Sequence, residues 1–360
     1  MKQKLWKYRL PLIALLLALL SLFCLWRLRV VSGLLESQKE AERWRGSSDQ
    51  GFAQISCFMP ANAGLTMEEL YTFRSAMAQR LKDASFDVEH GEGLYSDAWC
   101  TACTVRIGVG RQSGDVGCFA VGGRFFDFHP LRLLGGNYLS PLDVMDDRVL
   151  LDAETAWMLF GASDVAGMTV SIGGAPYVVA GVYEHEKDAF SRHAADGGMR
   201  IYMSYEAYRR SKPDSEKPAV TCYEFVMAEP VRGFAYSAAT EKFPISGAVL
   251  IENGRRFEAG NLLRLAKNGV ERSMRKDDNY YPYWENAARA AEDRAVVWLI
   301  AALVLAAFPV GLLLVFVIRS FSRGKKKFET ELFPKARDRA EEAIRVRARR
   351  RWEKQHPGED

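Results

Sequence analysis

The sequence predicts an α+β domain placed between two membrane-spanning helices. Two apolar runs without a charged residue, residues 10–26 and 295–318, lie near the two ends of the chain. The charge changes sign along the chain: residues 1–29 carry +6, residues 30–295 carry −8 and residues 296–360 carry +6. Between the runs, short alternating strand patterns and helical patterns follow one another. Together these observations predict a membrane protein with one folded domain outside the bilayer.

The composition excludes several other classes of protein. With 48% hydrophobic residues, 49 basic and 45 acidic residues, the chain of 360 residues is too apolar and too evenly charged for a disordered protein. Six cysteines are too few for a scaffold built from disulfides. The mean hydropathy of −0.15 excludes a protein with many spans. Nucleic-acid binding would need a basic folded domain. Because residues 30–295 carry −8 instead, no nucleic-acid partner is expected.

The second apolar run, residues 295–318, is the clearer membrane span. As a helix its 24 residues are about 36 Å long, enough to cross a hydrocarbon core of about 30 Å. Pro309 lies in the middle and removes one backbone hydrogen bond, which membrane helices tolerate where neighbours compensate. We therefore predict a transmembrane helix here rather than a buried core helix.

The first apolar run, residues 10–26, has 17 residues and competes with a cleaved signal peptide. A cleavage site needs small residues after the run, but Trp26 and Arg27 stand there instead. Bulky Phe23 precedes Cys24, which also argues against a lipoprotein site. The sequence therefore predicts an uncleaved transmembrane anchor.

Basic residues flank the outer ends of both runs more densely than their inner ends. Because positive residues stay on the cytoplasmic side, residues 1–9 are predicted as a cytoplasmic N-terminus and residues 319–360 as a basic cytoplasmic tail. The segment between the runs then lies outside, as a helical stalk at 27–50 and a domain at 51–294. The outer flanks carry Lys2, Lys4, Lys7, Arg9, Arg319, Arg323, Lys325, Lys326 and Lys327.

The predicted domain begins with a strand followed by a helix. The stalk ends at the Gly46-Ser47-Ser48 break, and a strand follows at 52–59. Thr66 and Glu69 form a capping box, which predicts the start of a helix at Thr66. The apolar residues of this helix recur every three or four positions, as expected for one buried face: Met67, Leu70, Phe73, Met77 and Leu81.

Further strands and helices complete the predicted α+β domain. Asp152 is expected to cap a helix that stops at Gly161, and residues 173–176 to turn a hairpin. Residues 134–138, rich in glycine, read as a loop. Strands are predicted at 101–109, 117–121, 148–151, 169–172, 177–183, 200–204, 221–228 and 248–252, and helices at 153–160, 231–242 and 284–294.

Six short motifs follow one another in order between residues 125 and 182. They read FF at 125–126, GGNYLS at 135–140, RVLLD at 148–152, AWMLFG at 156–161, VAG at 165–167 and YVVAGV at 177–182. In this order the segment resembles the periplasmic core domain of MacB-type ABC transporter permeases, within the FtsX-like permease family. The resemblance extends less strongly over residues 50–294.

The resemblance implies a two-lobed extracytoplasmic domain, with one lobe inserted into the other. Residues 52–110 and 224–294 would form the first lobe, and residues 118–203 the inserted one. It also implies transport in an export or stress-response assembly, with a separate ABC ATPase or permease subunit as the partner. Such permeases continue with three spans after the domain, whereas this sequence has one, so we expect a permease-like subunit or accessory module rather than a complete permease.

Two other functions remain open at this point. One is a surface-anchored binding or sensor protein without transport function, and the other is a shortened remnant of a permease. No Ser-His-Asp arrangement, phosphate loop or complete nucleotide fingerprint is visible, since the glycines at 108 and 110 lack a third. An enzymatic activity and a cofactor are therefore not expected.

The outside domain contains five cysteines that are candidates for disulfide bonds. Cys100 and Cys103 have the spacing of a redox or zinc pair, but they fall in a strand pattern and have no second pair. One or two structural disulfides are expected, with free buried thiols as the alternative. The spacing leaves the pairing open among Cys57, Cys100, Cys103, Cys118 and Cys222.

Histidines and acidic residues cluster at 184–193, without the spacing of a metal motif. We read this cluster as a solvated polar loop, and His129, in an aromatic run, as a structural histidine. No metal site is expected.

The cytoplasmic tail is helical in composition after Pro334 and strongly basic. Its candidate contacts with membrane lipid or an acidic partner are Lys325, Lys326, Lys327, Arg345, Arg347, Arg349, Arg350 and Arg351.

Overall fold

The computed structural model describes residues 2–86, 93–195, 197–268, 279–327 and 333–355. The chain forms two compact units. One unit comprises Met1–Trp26 together with Ile300–Asp360, and the other comprises Arg27–Leu299.

The unit Arg27–Leu299 is built on one mixed sheet of ten strands. Its strands are β1 (Phe52–Phe58), β2 (Tyr95–Val109), β3 (Gln112–Gly123), β4 (Arg132–Gly136), β5 (Arg148–Asp152), β6 (Thr169–Ile172), β7 (Ala175–Glu184), β8 (Arg200–Ser204), β9 (Cys222–Ala228) and β10 (Val249–Glu252). The strand order is β10-β1-β9-β2-β3-β8-β5-β7-β4, and β6 pairs with β2 and β7 beside this path. The pairs β3–β8 and β5–β7 are parallel, and the others are antiparallel.

The described part of the chain also contains eleven helices. They are α1 (Lys2–Ser32), α2 (Glu40–Arg45), α3 (Met67–Asp83), α4 (Phe125–Phe128), α5 (Ala153–Phe160), α6 (Ala189–Ala194), α7 (Tyr205–Arg210), α8 (Phe234–Lys242), α9 (Ala259–Asn268), α10 (Tyr283–Lys327) and α11 (Phe333–Gln355). Short 3-10 turns lie at Glu36–Gln38, Asp214–Glu216 and Asn253–Arg255.

Helix α3 covers one face of the sheet as its sequence pattern predicts. Thr66 and Glu69 form the capping box, since each side chain bonds the other residue's backbone N–H. The buried positions Leu70, Met77 and Leu81 face the core, together with Phe73. The Phe73 ring meets three aromatic rings of the core edge-on: Tyr223, Phe225 and Phe243.

The predicted hairpin and the helix before it are also confirmed. Strands β6 and β7 pair antiparallel, and Gly173 and Gly174 turn the chain between them with positive φ angles of 60° and 88°. Asp152 caps α5 by accepting the Thr155 N–H, and Gly161 ends α5 in the left-handed region. These local signals all lie in the stretch that carries the family resemblance.

The α+β fold class is confirmed, and the strand order shows how the two predicted lobes are joined. Strands β10, β1, β9 and β2, from the predicted first lobe, form one half of the sheet. Strands β3, β8, β5, β7 and β4 form the other half. The hairpin β2–β3 joins the halves over a register of twelve residue pairs, so the sheet continues from one to the other. The lobe boundaries themselves stay a prediction.

Some sequence-based expectations differ from the structure. The stalk is not one helix, because α1 ends at Ser32 and a 3-10 turn precedes α2. Residues predicted as the glycine-rich loop begin within strand β4, which pairs with β7. Helix α8 starts three residues later than predicted, because Gly233 adopts the left-handed conformation at its N-cap.

Helices α1 and α10 contain segments long and apolar enough to cross a membrane. These segments are Arg9–Ser32 and Tyr283–Arg323. Both helices stay continuous through an internal proline, Pro11 in α1 and Pro309 in α10. Within the first unit, the Ser21 hydroxyl donates to the Ala302 carbonyl oxygen at 2.9 Å, so the two helices contact each other directly.

Candidate functional site

A buried polar network connects strands β1 and β9, near one edge of the sheet, to helix α10. Each of its residues is at most 4% exposed. Because buried polar groups are costly unless they are hydrogen-bonded, such a cluster needs mutual partners. We call the following set the buried polar network: Ser56, His129, Glu224, Asn253, Arg256, Glu285 and Glu292.

The sheet positions the first half of the network. Ser56 on β1 and Glu224 on β9 are directly opposite each other in the antiparallel register. The Ser56 hydroxyl donates to Glu224 Oε1 at 2.5 Å, and His129 Nε2 bonds the other oxygen of Glu224. His129 follows α4 and lies between the rings of Phe125 and Trp284, with centroid distances of 4.6 and 4.3 Å. The carboxylate is thus held from both sides.

Arg256 connects this half to α10. Asn253 Nδ2 donates to Ser56 Oγ at 2.8 Å, and Arg256 Nε donates to Asn253 Oδ1 at 3.0 Å. The remaining guanidinium nitrogens of Arg256 donate to Glu285 and, at 3.3 Å, to Glu292. One side chain therefore bonds both the edge of the sheet and two turns of the helix.

The two carboxylates lie on one face of α10 because seven residues make about two helical turns. Arg289, one turn after Glu285, donates to Glu285 from Nε at 2.9 Å. Arg256 and Arg289 together balance the charges of Glu285 and Glu292. A paired and hydrogen-bonded cluster of this kind tolerates burial, whereas the loss of one member leaves a buried charge without its partner.

Sequence reasoning found one member of the network and missed the others. His129 was expected to be structural, and its burial against two aromatic rings agrees with that role. Glu285, Arg289 and Glu292 carry a weak signal, since charged residues at spacings of four and three share one face of a helix. Ser56 and Glu224 are brought together by the sheet register alone.

The cluster at 184–193 is only partly the solvated polar loop that the sequence suggested: residues 185–188 form a loop, but α6 begins at Ala189 and two polar side chains of the loop are hydrogen-bonded. His185 Nε2 bonds Asp152 at 2.8 Å, and Asp188 caps α6 by accepting two backbone N–H groups. Burial raises the pKa of Asp152, but hydrogen bonds from His185 and Thr155 outweigh it and lower that pKa below its ordinary value. Among the residues that the structure describes, no three His, Cys, Asp or Glu side chains form a group suited to a metal ion.

The five candidate disulfide cysteines all lie on neighbouring strands. Cys103 on β2 is directly opposite Cys118 on β3, and Cys100 on β2 is directly opposite Cys222 on β9. Cys57 on β1 is opposite Tyr223 and Leu250 instead. All six cysteines of the chain are free thiols in the structure.

The two thiols of the pair on β2 and β3 differ in their acidity. Hydrogen bonds from the Cys118 thiol and the Tyr208 hydroxyl lower the pKa of Cys103, although burial acts against this effect. Burial raises the pKa of Cys118 well above its ordinary value. Cys103 is therefore the more readily ionised thiol of the pair, and a thiolate is the form that attacks a disulfide.

We expect oxidation to form the pairs Cys103–Cys118 and Cys100–Cys222 and to leave Cys57 free. Directly opposed residues on antiparallel strands have Cα atoms about 4.5–5.5 Å apart, which suits a disulfide. Peptide mapping without reduction, on protein purified from an oxidising compartment, measures the pairing. The variant Cys57→Ser is the control and is expected to keep both bridges. A bridge that includes Cys57 would contradict the assignment.

The basic candidate residues of the tail lie at the end of α10 and on α11. The described side chains among them, Lys325, Arg345, Arg347, Arg349 and Arg351, are exposed. The side chains of Lys326, Lys327 and Arg350 lie outside the described part of the structure. An exposed basic helix can contact an acidic surface, and its role stays a prediction.

Comparisons with known proteins identify the domain. Residues 35–242 match the family model described as the MacB-like periplasmic core domain. No curated protein matches the chain. The match begins just before the 3-10 turn that follows α1 and ends at the last residue of α8.

Several solved structures are similar to this chain at low identity. The extracellular domain of the noncanonic ABC-type transporter YknZ from Gram-positive bacteria is 15% identical, with a TM-score of 0.35, covering 55% of this chain and 99% of that chain. The periplasmic region of MacB from Actinobacillus actinomycetemcomitans is 15% identical, with a TM-score of 0.40, covering 64% and 99%. A domain of a putative permease from Porphyromonas gingivalis is 10% identical, with a TM-score of 0.33, covering 55% and 88%.

The family match covers more than half of the chain, and two apolar helices flank it. The resemblance drawn from the motifs at 125–182 is thereby confirmed. This membrane protein belongs to the family of the MacB-like periplasmic core domain, and that domain is its extracytoplasmic central part.

Proposed function

We propose that this protein is a non-catalytic, permease-like subunit or accessory module of a MacB/FtsX-type ABC transport assembly, in export or stress response. The buried polar network is the observation that carries the proposal. It fastens strands β1 and β9 of the family domain to α10, and the same helix continues into the second apolar run. A domain built to act apart from its membrane helix would not need these buried charges on that helix.

In this proposal the network couples movements of the sheet to α10. Arg256 bonds the turn after β10 through Asn253 and bonds α10 through Glu285 and Glu292. A displacement of the sheet edge therefore cannot leave α10 in place without breaking hydrogen bonds that no water replaces. A displacement of the domain therefore also displaces α10, and a displacement of α10 also displaces the domain.

ATP hydrolysis is assigned to a separate subunit. The 360 residues contain no phosphate-binding loop of the kind that an ABC ATPase requires. The partner is then an ABC ATPase, a permease subunit or both. The exposed basic face of α11 is the proposed docking element on the cytoplasmic side.

Deleting residues 324–360 is expected to abolish co-purification of the ATPase or permease partner, because the deletion removes the docking helix. Affinity purification of the tagged protein from its own membranes, followed by mass spectrometry, measures this. A matched variant that keeps α11 but replaces Arg345, Arg347 and Arg349 with glutamine tests the contribution of charge.

The outcomes separate the proposal from its rivals. Undiminished co-purification after the deletion would show that the tail is not the docking element. If no partner co-purifies even with the intact chain, the protein acts instead as a surface-anchored sensor. Membrane binding of the tail that weakens with salt, without a protein partner, would assign α11 to anionic lipid.

We also propose that both termini are cytoplasmic, which the basic outer flanks of the two runs support. A cysteine at position 347 is then expected to stay unlabelled by an impermeant maleimide in intact cells. A cysteine at position 142 is the matched control, because Leu142 is 86% exposed in the outside domain and its replacement should react. Labelling at position 347 in intact cells would reverse the orientation.

A further inference from the structure

A cavity of about 480 Å³ lies beside the buried polar network, between β10, α9 and the start of α10. Four arginines line it, with two glutamates. Its apolar wall consists of Val249, Ile251 and Leu265. A cavity that combines guanidinium groups with an aliphatic wall suits a ligand that has both an anionic and an apolar part.

Two of the four arginines already form hydrogen-bonded ion pairs with carboxylates of the protein. Arg256 belongs to the buried polar network, and Arg289 donates to Glu285 while it stacks on the Tyr281 ring at 3.5 Å. Both are held rigidly at the wall of the cavity, so they contribute positive potential without being free to move.

The other two arginines retain unused donors. Arg264 on α9 is exposed and makes no ion pair with any residue in the described part of the chain. Arg255 bonds Glu252 at 3.2 Å through Nη1, and its Nε forms an ion pair with Glu258 at 3.8 Å, too far for a hydrogen bond, so this buried Nε has no hydrogen-bond partner among the described residues. A buried donor without an acceptor is costly, and an anionic oxygen in the cavity would satisfy it.

The position of the cavity along α10 indicates where the ligand comes from. Arg289 precedes Ala295, the first residue of the charge-free run, by six residues, which is about 9 Å along a helix. The headgroup region is about 5–8 Å thick on each side of the core, so that distance places Arg289 at its outer edge if the run spans the bilayer. Next to Arg264 on α9, Leu263 is 46% exposed, as expected for a helix that meets the interface.

From this geometry we propose that the cavity binds the phosphate headgroup of an anionic phospholipid. Arg255 and Arg264 contact the phosphate oxygens, and the aliphatic wall contacts the glycerol and the first acyl carbons. The site is separate from the docking role of the tail and does not depend on it.

Native mass spectrometry of the full-length protein in detergent tests the proposal, with phosphatidylglycerol and phosphatidylcholine as the probes. Phosphatidylglycerol is expected to bind more tightly, and Arg264→Gln to weaken its binding about fivefold. Lys267→Gln is the matched control, because it removes the same charge from the same helix outside the cavity. Arg264 is exposed, so its replacement should leave the fold intact.

Since every variant keeps the basic tail, the difference between Arg264→Gln and Lys267→Gln reports on the cavity alone. Equal effects of the two variants, or equal binding of the two lipids, would overturn the proposal. Free glycerol 3-phosphate serves as the competitor. If it displaces phosphatidylglycerol at equal concentration, the ligand is a soluble phosphate ester and not a lipid.

Discussion

Replacing Arg256 with methionine is expected to destabilise the protein by about 3–5 kcal/mol. Methionine fills a similar volume but donates no hydrogen bond, so Asn253, Glu285 and Glu292 each lose a buried donor. Glu285 and Glu292 are at most 3% exposed, so water cannot replace the hydrogen bonds that Arg256 donates. The cost is that of buried charges that lose a hydrogen-bonded counter-charge, which exceeds the value of the ion pair itself.

The neighbouring residue provides the matched control. Arg255 also pairs with glutamates, Glu252 and Glu258, but its side chain is 38% exposed, so Arg255→Met is expected to cost about 1 kcal/mol or less. Thermal unfolding of the full chain in detergent measures both variants, and Arg256→Met should melt about 10 °C lower than the wild type.

A second substitution separates the charge effect from a simple packing defect. Adding Glu292→Gln to Arg256→Met removes the charge of one of the two carboxylates that Arg256 bonded, so part of the stability should return. Equal melting temperatures for Arg255→Met and Arg256→Met would show that the buried polar network does not hold α10 to the domain.

The elements that could be predicted from the sequence are those encoded by a few neighbouring residues. The capping box at Thr66, the cap at Asp152 and the turn at Gly173-Gly174 each place the necessary groups within a few positions of one another. The order of the motifs at 125–182 also indicated the family to which the domain belongs. None of these signals needs knowledge of distant contacts.

The sheet order and the buried polar network depend on distant contacts and could not be predicted. Ser56 and Glu224 are separated by 168 positions and meet only because β1 and β9 pair in one particular register. Arg256 reads in the sequence as one of many surface arginines, since its burial is set by the helix that covers it. The positions of Cys103 opposite Cys118 and of Cys100 opposite Cys222 were hidden for the same reason.

Strand β4 shows a different limit. Two adjacent glycines favour a loop by composition, because glycine costs conformational entropy within a strand. Here Gly136 stays in the sheet because the close approach of β7 leaves no space for a side chain. The glycine that suggested a loop is required by the strand pairing.

This close approach predicts that Gly136→Ala is strongly destabilising, by about 3 kcal/mol or more. Gly136 has a φ of 76°, a value that residues other than glycine rarely adopt. An added Cβ would overlap the Ala180 carbonyl oxygen and lie 2.5 Å from the Gly181 Cα. Both atoms belong to the backbone of β7, which is paired on its other side with β5 and cannot move away.

Gly135→Ala is a control one residue away in the same strand. Nothing lies within 4 Å of the position that its Cβ would take, and its backbone needs no positive φ. Its effect is therefore expected to stay within about 1 kcal/mol. Thermal unfolding of the two variants in detergent, with limited proteolysis of the segment at 137–147, measures the difference. Because β4 is held at the sheet edge by β7 alone, Gly136→Ala should release β4 and expose residues 137–147 to cleavage. Equal resistance to proteolysis in both variants would show that β4 does not need a glycine at position 136.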